Sequence, residues 1–188
     1  MTMARSVTAK SRAAKISLRS LSDADIAEVH RQQNERCPEE LADFLDMEPP
    51  YLPLTLEKVK STVSEYNRKE RTYLVGAFDG DRRLVGLVFY GSEFDATWPW
   101  LSVLVFPELR RKGFGRAMAA SLLDKAFDQT HAHSACCHVP GWSAAGLALA
   151  VKVGFKAAGQ GRRSFVVDGK FVDGHFFDIL RSEHKGAP

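Results

Sequence analysis

The segment from residue 101 to residue 128 constrains the fold of this sequence most, because it joins an apolar run to an amphipathic pattern through a basic turn. Its sequence is LSVLVFPELRRKGFGRAMAASLLDKAFD. The apolar run 101–106 predicts a buried strand, which Pro107 ends because proline cannot donate to a β-ladder. Apolar residues then recur every three or four positions between Phe114 and Phe127, and they predict a helix with one buried face.

The turn between this strand and this helix has the properties of an anion-binding site. Its glycines let backbone N–H groups approach a ligand, and a helix N-terminus presents unpaired N–H groups at the positive end of the helix dipole. The turn therefore predicts a site for phosphate or pyrophosphate, with an ordinary turn carrying solvated arginines as the alternative. Its residues are Arg110, Arg111, Lys112, Gly113, Phe114, Gly115 and Arg116.

Two common phosphate-binding loops do not fit this turn. The Walker loop requires Gly-Lys-Ser/Thr, whereas here Lys112 precedes Gly113 and no hydroxyl residue follows. The dinucleotide pattern G-x-G-x-x-G would place its third glycine at Met118 and would require an acidic residue about 20 positions further on. Both patterns are therefore excluded.

The turn instead resembles the acyl-CoA loop of the GNAT superfamily of N-acetyltransferases, which is Arg/Gln-x-x-Gly-x-Gly/Ala between a strand and a helix. The residues Arg110, Gly113 and Gly115 match this signature in spacing. The flanking sequence VFPELRRKGFGRA also matches the family's usual V-x-P-x-x-R-x-x-G-x-G-x-A. The order of strand, proline, basic turn and helix makes the resemblance more specific than the short signature alone.

A second part of the chain resembles the same family, which often has N-x-x-S-x-x-L-Y-x-K-x-G-F in its next helix. Three positions depart from that pattern, and one of them is Gly146, where the family has serine. Ser143 replaces the asparagine that touches the CoA arm, and its hydroxyl could serve in the same way. Ala150 replaces a tyrosine that protonates the leaving thiolate in many members. The matching residues are Leu149, Lys152, Gly154 and Phe155.

The remaining patterns predict the elements around these two motifs. Ser22, followed by Asp25, predicts a capping box at the start of the first helix, and Asp79-Gly80 predicts a hairpin turn. We expect the acidic and proline-rich segment 37–54 to form a variable loop or short helix over the acceptor cleft. The resemblance implies an α/β (α+β) GNAT fold with a central mixed, mostly antiparallel sheet of six to seven strands and about four helices. Predicted strands cover 16–21, 71–78, 84–90, 101–106 and 134–139, with two more about a turn at 168–169.

Length and composition predict one domain. The chain has 188 residues, of which 45% are hydrophobic, and its net charge of +3 does not by itself indicate nucleic acid. We expect a flexible basic tail over 1–14, a single acetyltransferase domain over 15–183 and a short tail over 184–188. Binding of nucleic acid or a membrane surface by the basic tail is the less favoured alternative to a solvated terminus. No stretch is apolar over the length that a membrane span requires.

The cysteines indicate a reducing compartment, and we expect a cytoplasmic protein. There are three of them, and Cys136 and Cys137 lie in a strand-like run where a free thiol behaves as a small hydrophobic group. A zinc site would require a further Cys or His pair at ligand spacing, which the histidines at 131, 133 and 138 do not supply. We therefore expect core cysteines and no metal.

The resemblance implies acetyl-CoA as the donor and gives each motif a position along it. The pyrophosphate would lie on the amides of Arg111–Arg116, and Ser143 would lie near the CoA arm. The pantetheine would run beside Leu104 and Val105 as an added strand, with backbone N–H groups near them stabilising the oxyanion. The thioester would lie where the central strand diverges from the strand 134–139. An amine would attack it directly, and this requires proximity and a base.

The general base is not identified by any motif. Glu93 and Asp95 precede the central strand and His138 ends the next one, so each could reach the cleft. Solvated loop acids and a satisfied edge histidine are the favoured alternatives. An acceptor pocket or ordinary core packing would explain four aromatic residues near the central strand, namely Phe89, Tyr90, Trp98 and Trp100.

The sequence leaves the acceptor and the activity open between several interpretations. The first is an N-acetyltransferase that acts on a primary amine of a small molecule or of a protein N-terminus. The second is a catalytically weak or inactive CoA-binding regulatory domain, which Ala150 permits. The acidic segment mildly favours a cationic acceptor. Formation of a homodimer is left open.

Overall fold

A seven-stranded sheet forms the centre of the protein, whose computed structural model describes residues 15–45, 53–92, 95–167 and 169–184. The strands lie in the order β1-β2-β3-β4-β5-β7-β6, and every neighbouring pair is antiparallel except β4 and β5. The predicted mixed, mostly antiparallel sheet is therefore confirmed. The strands are β1 Ser17–Arg19, β2 Thr72–Phe78, β3 Leu84–Gly91, β4 Trp100–Val105, β5 Ser134–Pro140, β6 Lys156–Val167 and β7 Lys170–Leu180.

The described residues form five α-helices, one more than the sequence predicted. The additional helix is α2, within the segment for which we expected a loop or short helix. Proline at its first position and two glutamates in its first turn favour a helix start, and Leu41 is fully buried. Residues 46–52 of that segment lie outside the described residues. The helices are α1 Asp23–Glu35, α2 Pro38–Phe44, α3 Leu56–Arg68, α4 Phe114–Gln129 and α5 Ala144–Lys152.

The helices begin where the sequence predicted. The Ser22 hydroxyl accepts a hydrogen bond from the Asp25 amide, and the Asp25 carboxylate accepts one from the Ser22 amide at 2.8 Å. This reciprocal pair is the predicted capping box. The Thr55 and Ser143 side chains cap α3 and α5 in the same general way, each accepting from an amide three residues later.

Helices α3 and α4 pack on opposite faces of the sheet. The ring of Tyr66 in α3 contacts Phe89 edge-on, with the two centroids 5.5 Å apart. A Cβ on Gly86, three positions earlier in the same strand, would lie 3.0 Å from the Met118 side chain of α4. Since side chains alternate between faces along a strand, these contacts belong to different faces. Both faces of β3 are therefore covered, which explains its nearly complete burial.

Strands β4 and β5 separate almost as soon as they pair. The only residues in register are Trp100 and Cys136, and the Cys136 amide donates to the Pro99 carbonyl at 3.0 Å. The two strands continue to Val105 and Pro140 without further pairing. The divergence that the sequence analysis expected between these strands is present, and it opens the sheet beside the N-terminus of α4.

The C-terminal end of α4 is held by Arg181, which follows β7. Its guanidinium donates to the carbonyls of Phe127, Ala132 and Thr130, the last two at 2.8 Å. We expect Arg181→Ala to lower the free energy of unfolding by about 2–3 kcal/mol, because several carbonyls lose a charged donor.

Urea denaturation of this variant, beside Arg68→Ala as an exposed control, measures the effect. The control should change stability by less than about 0.5 kcal/mol. Equal denaturation midpoints for the two variants would show that the hydrogen bonds of Arg181 add nothing to the free energy of unfolding.

Candidate active site

The loop that leads into α4 has a backbone conformation suited to binding an anion. Arg111 has φ +64° and Gly113 has φ +85°, so two of its residues are left-handed. This conformation is strained for arginine and turns successive amides to one side. The first helical bond is donated by Ala117 to the Gly113 carbonyl, so the amides of residues 114–116 have no partner within the helix. A Cβ on Gly113 would meet nothing within 4 Å, so a ligand can reach the loop backbone.

The basic side chains of this loop divide into two groups. The Arg110 guanidinium donates to the Val105 carbonyl at 3.1 Å and pairs with Glu40 of α2 at 3.2 Å. The Lys112 ammonium donates to the Glu108 carbonyl at 3.1 Å. Arg111 and Arg116 are exposed, and no residue among those described forms an ion pair with either. Arg111 and Arg116 are therefore the basic side chains of the loop that form no hydrogen bond or ion pair with the described part of the chain.

The edge of β4 that faces the divergence is partly open. The Phe106 amide donates to Val85 of β3, and Gly86 lies opposite Val105. Because polar groups alternate along an antiparallel pair, the N–H and C=O of Val105 point away from β3, whereas those of Leu104 point towards it. Of the two residues predicted beside the pantetheine, Val105 therefore has its backbone groups on the open edge, where its carbonyl accepts from Arg110 and its N–H faces the divergence.

The open edge ends against the N-terminus of α4. A Cβ on Gly115 would lie 3.5 Å from the Val105 side chain and 3.4 Å from Leu149 of α5. Ser143 caps α5 nearby, and its hydroxyl accepts from the Gly146 amide at 3.2 Å. Ala150 is 4% exposed and packs in the core, so it adds no polar group to this region.

His138 lies within an aromatic cluster on the β5–β7 side of the divergence. Its ring stacks on Phe176 with centroids 4.0 Å apart and planes 5° apart, and Phe165 lies 4.5 Å away. Trp100, at the last paired position of β4, lies 6.4 Å from it. The sequence analysis did not find Phe165 or Phe176, because their contribution depends on the register of β7 with its two neighbours. The aromatic cluster comprises Trp100, His138, Phe165 and Phe176.

The environment of His138 favours a neutral ring. Burial lowers its pKa below the ordinary value for histidine, and the charge of His175 lowers it further. The Ser164 hydroxyl lies 3.4 Å from His138 Nε2 and donates to the Gly161 carbonyl at 3.1 Å. When the hydroxyl hydrogen is used in that donation, Ser164 can only accept from Nε2, as in the neutral tautomer that is protonated there. In that tautomer Nδ1 carries the lone pair.

The structure describes only one of the two acidic residues that the sequence suggested as a general base. Glu93 lies outside the described residues. The Asp95 carboxylate accepts from the amide and the hydroxyl of Thr97, both at 2.7 Å. These hydrogen bonds hold the pKa of Asp95 below its usual value. Asp95 therefore has a local role in forming the turn that precedes β4.

The four aromatic residues that the sequence placed near the central strand differ in burial. Phe89 packs against Tyr66, and Tyr90 is 8% exposed, so both belong to the core. Trp98 is 44% exposed, and its ring lies 6.1 Å from that of Trp100, which belongs to the aromatic cluster. The two tryptophans are the ones placed beside the cleft.

The cysteines are free thiols with little reactivity. Cys136 is buried and Cys137 is half-buried, and burial raises the pKa of each to about 12. The prediction of core cysteines is confirmed for Cys136. Within the described ranges, no three His, Cys, Asp or Glu side chains are grouped as metal ligands. No helix of the described residues has the length and apolarity to cross a bilayer.

Comparison with known proteins identifies the family. The profile of the acetyltransferase (GNAT) family matches residues 34–155 of the chain. The chain therefore belongs to the GNAT family of acetyltransferases, and the predictions of the family and of an acyltransferase enzyme are confirmed. A comparison with curated proteins found no match.

Solved structures share the same fold. Spermidine N-acetyltransferase from Vibrio cholerae in complex with CoA and spermine has a TM-score of 0.76 and 22% identity, and the match covers 89% of this chain and 96% of that chain. A dodecameric structure of the Vibrio cholerae enzyme in an intermediate state has a TM-score of 0.71 and 21% identity, covering 89% and 94%. At such identities, the likeness concerns the fold.

If Asp95 stabilises the turn, its two substitutions should differ in their effect on stability. Asp95→Asn keeps the oxygen that accepts from Thr97, so we expect wild-type stability and an unchanged rate of acetyl transfer. Asp95→Ala removes it and should lower the thermal unfolding midpoint. Loss of a general base would instead reduce the rate by about 10²–10⁴. A large loss of rate in Asp95→Asn, with the fold intact, would make Asp95 the base.

Proposed function

We propose that this chain transfers the acetyl group of acetyl-CoA to the primary amine of a small molecule or of a protein N-terminus. One observation carries the proposal, namely that the open edge of β4 ends at Gly115, on the amide-lined start of α4. A diphosphate on those amides and an extended arm along Val105 fit one continuous ligand. Its thioester end would then lie at the divergence of β4 and β5.

The diphosphate is recognised mainly by the backbone. The amides of residues 111–116 face one region, and the dipole of the 16-residue helix α4 adds a positive potential there. Arg111 and Arg116 supply mobile positive charge. Arg110 has a different role, since it bridges the Val105 carbonyl and Glu40 and so holds the loop to α2.

The transfer is a direct attack of the amine on the thioester, and the proton that the amine loses has a defined acceptor. The amine nitrogen forms a bond to the acetyl carbon, the carbon–sulfur bond breaks, and the open Val105 amide is oriented to stabilise the oxyanion. His138 accepts the proton that the amine loses, through Nδ1. The same proton is then available to the leaving thiolate, which has no tyrosine to protonate it because Ala150 occupies that position.

A CoA-binding domain without transfer activity is the second candidate. The observation that favours it is the burial of Ala150, which leaves no hydroxyl in the place of the family tyrosine. The two candidates differ in thiol release, since only the enzyme liberates CoA when an amine and acetyl-CoA are both supplied.

Substitution in the loop tests the donor site. We expect Gly113→Ala to weaken CoA binding at least about tenfold, because alanine disfavours a φ of +85° and the adjoining amides would turn away. Isothermal titration calorimetry with CoA measures the change.

Gly169→Ala is a matched control. Gly169 has φ +70° and equally open surroundings, but it lies in the turn between β6 and β7. This variant should show similar strain and bind CoA normally. Wild-type affinity in both variants, or no heat with the wild-type protein, would contradict the proposed donor site.

The pH dependence tests His138. The base acts only when neutral, so kcat/KM calculated on the concentration of unprotonated amine should rise with pH through the lowered pKa of His138 and should reach its plateau below the range of an ordinary histidine. His175→Asn removes the neighbouring charge, so we expect the acidic limb to move to higher pH. His138→Gln should reduce kcat by about 10²-fold or more and abolish that limb. Identical pH profiles for all three proteins, measured with one acceptor, would exclude His138 as the base.

A further inference from the structure

Strand β6 carries an irregularity beside the aromatic cluster. Gly161 pairs with Gly174 and Phe165 pairs with Val172, so residues 162–164 lie opposite a single residue of β7. Arg163 has φ +52°, a left-handed conformation that is strained for arginine. Bulges of this kind redirect side chains and frequently lie near functional sites.

Asp173 holds the bulge in place. One of its carboxylate oxygens accepts from the Arg163 amide and the other accepts from the Gln160 side chain, both at 2.8 Å. Both oxygens are thus engaged by groups other than guanidinium. Arg162 and Arg163 form no ion pair with any of the residues that the structure describes, although they lie beside this carboxylate.

The bulge borders a cavity of about 690 Å³, lined by Arg162, Arg163 and Asp173. Such a volume suits a small molecule. The residue after Arg163 is Ser164, whose hydroxyl lies 3.4 Å from His138 Nε2. The two arginines therefore immediately precede, in sequence, a residue whose side chain lies beside the ring of the proposed base.

We infer that the acceptor amine also carries an anionic oxygen group, a carboxylate or a phosphate, which Arg162 and Arg163 bind while the amine faces His138. This inference rests on the proposed function and specifies its acceptor. Guanidinium groups bind carboxylate and phosphate through paired hydrogen bonds. They disfavour an acceptor with additional positive charges, because like charges repel.

The inference differs from the hint given by the acidic segment of the sequence. Glu40 of that segment is paired with Arg110, so its charge is already matched on the donor side of the protein. Around the bulge and the aromatic cluster, three charged side chains form no ion pair with any described residue, namely Arg162, Arg163 and Asp178, and the two arginines outnumber the one carboxylate. Charge complementarity there favours an anionic group on the acceptor.

Pairs of amines with and without the anionic group test this inference, with rates compared at equal concentrations of unprotonated amine. We expect kcat/KM to be at least about tenfold higher for phenylalanine than for phenylalaninamide, or for phosphoethanolamine than for ethanolamine. The first pair presents a carboxylate and the second a phosphate, so they distinguish the two groups. Spermidine should be a poor acceptor.

Variants of the arginines connect the preference to the cavity. Arg162→Gln and Arg163→Asn each remove one charge, and asparagine tolerates the left-handed conformation. Each variant should reduce the preference for the amine with the anionic group severalfold. The kcat/KM for the amine without that group should stay unchanged. Arg82→Asn is the matched control, since Arg82 has φ +62° in the turn between β2 and β3. It should keep the wild-type preference.

The outcomes separate this inference from the proposed function. Equal rates within both pairs, a preference for spermidine, or a preference that survives both variants would overturn the inference while leaving acetyl transfer intact. Failure to bind CoA would instead overturn the proposed function. If none of these amines is acetylated, calorimetry of the same pairs on CoA-saturated protein decides, and equal or absent heats within a pair overturn the inference.

Discussion

The separation of β4 from β5 is the structural feature on which the rest of the site depends. Both strands are long enough for several rungs of a ladder, yet they share one register pair, Trp100 and Cys136. Backbone groups left open in this way require another partner. The Val105 carbonyl has found one in Arg110, while the edge beside it can accept an extended ligand. The absence of further pairing between β4 and β5 therefore leaves room for the proposed donor site.

On the other side of the divergence, packing determines the chemistry of His138. A Cβ on Gly174 would lie 2.1 Å from His138 Nε2 and 2.6 Å from the Ser164 hydroxyl, so only glycine permits this approach. Phe176 stacks on the ring, and partial burial together with the charge of His175 lowers the pKa of His138 and so favours the neutral imidazole. The property that a base requires therefore arises from residues of β6 and β7 that do not take part in proton transfer themselves.

Local patterns predicted the parts of the structure that depend on neighbouring residues. The capping box at Ser22 and the strand, turn and helix over 101–128 each follow from a few positions in sequence order, and all formed as expected. Register between distant strands has no such signal. The stacking of His138 on Phe176 requires the pairing of β5 with β7, and the contact of Asp95 with Thr97 became visible only in the folded turn.

The same distinction explains why the donor was easier to predict than the acceptor. In the proposed donor site, the loop binds through backbone amides, whose direction is set by φ angles that only certain residues adopt easily, so glycines at fixed spacing leave a signature. In the proposed acceptor site, binding depends on side chains placed by a bulge in the edge strand β6. Many residue types can occupy such positions without disturbing the sheet, because an edge strand has one paired neighbour. Selectivity for acceptors can therefore change by substitution there while the donor site is kept.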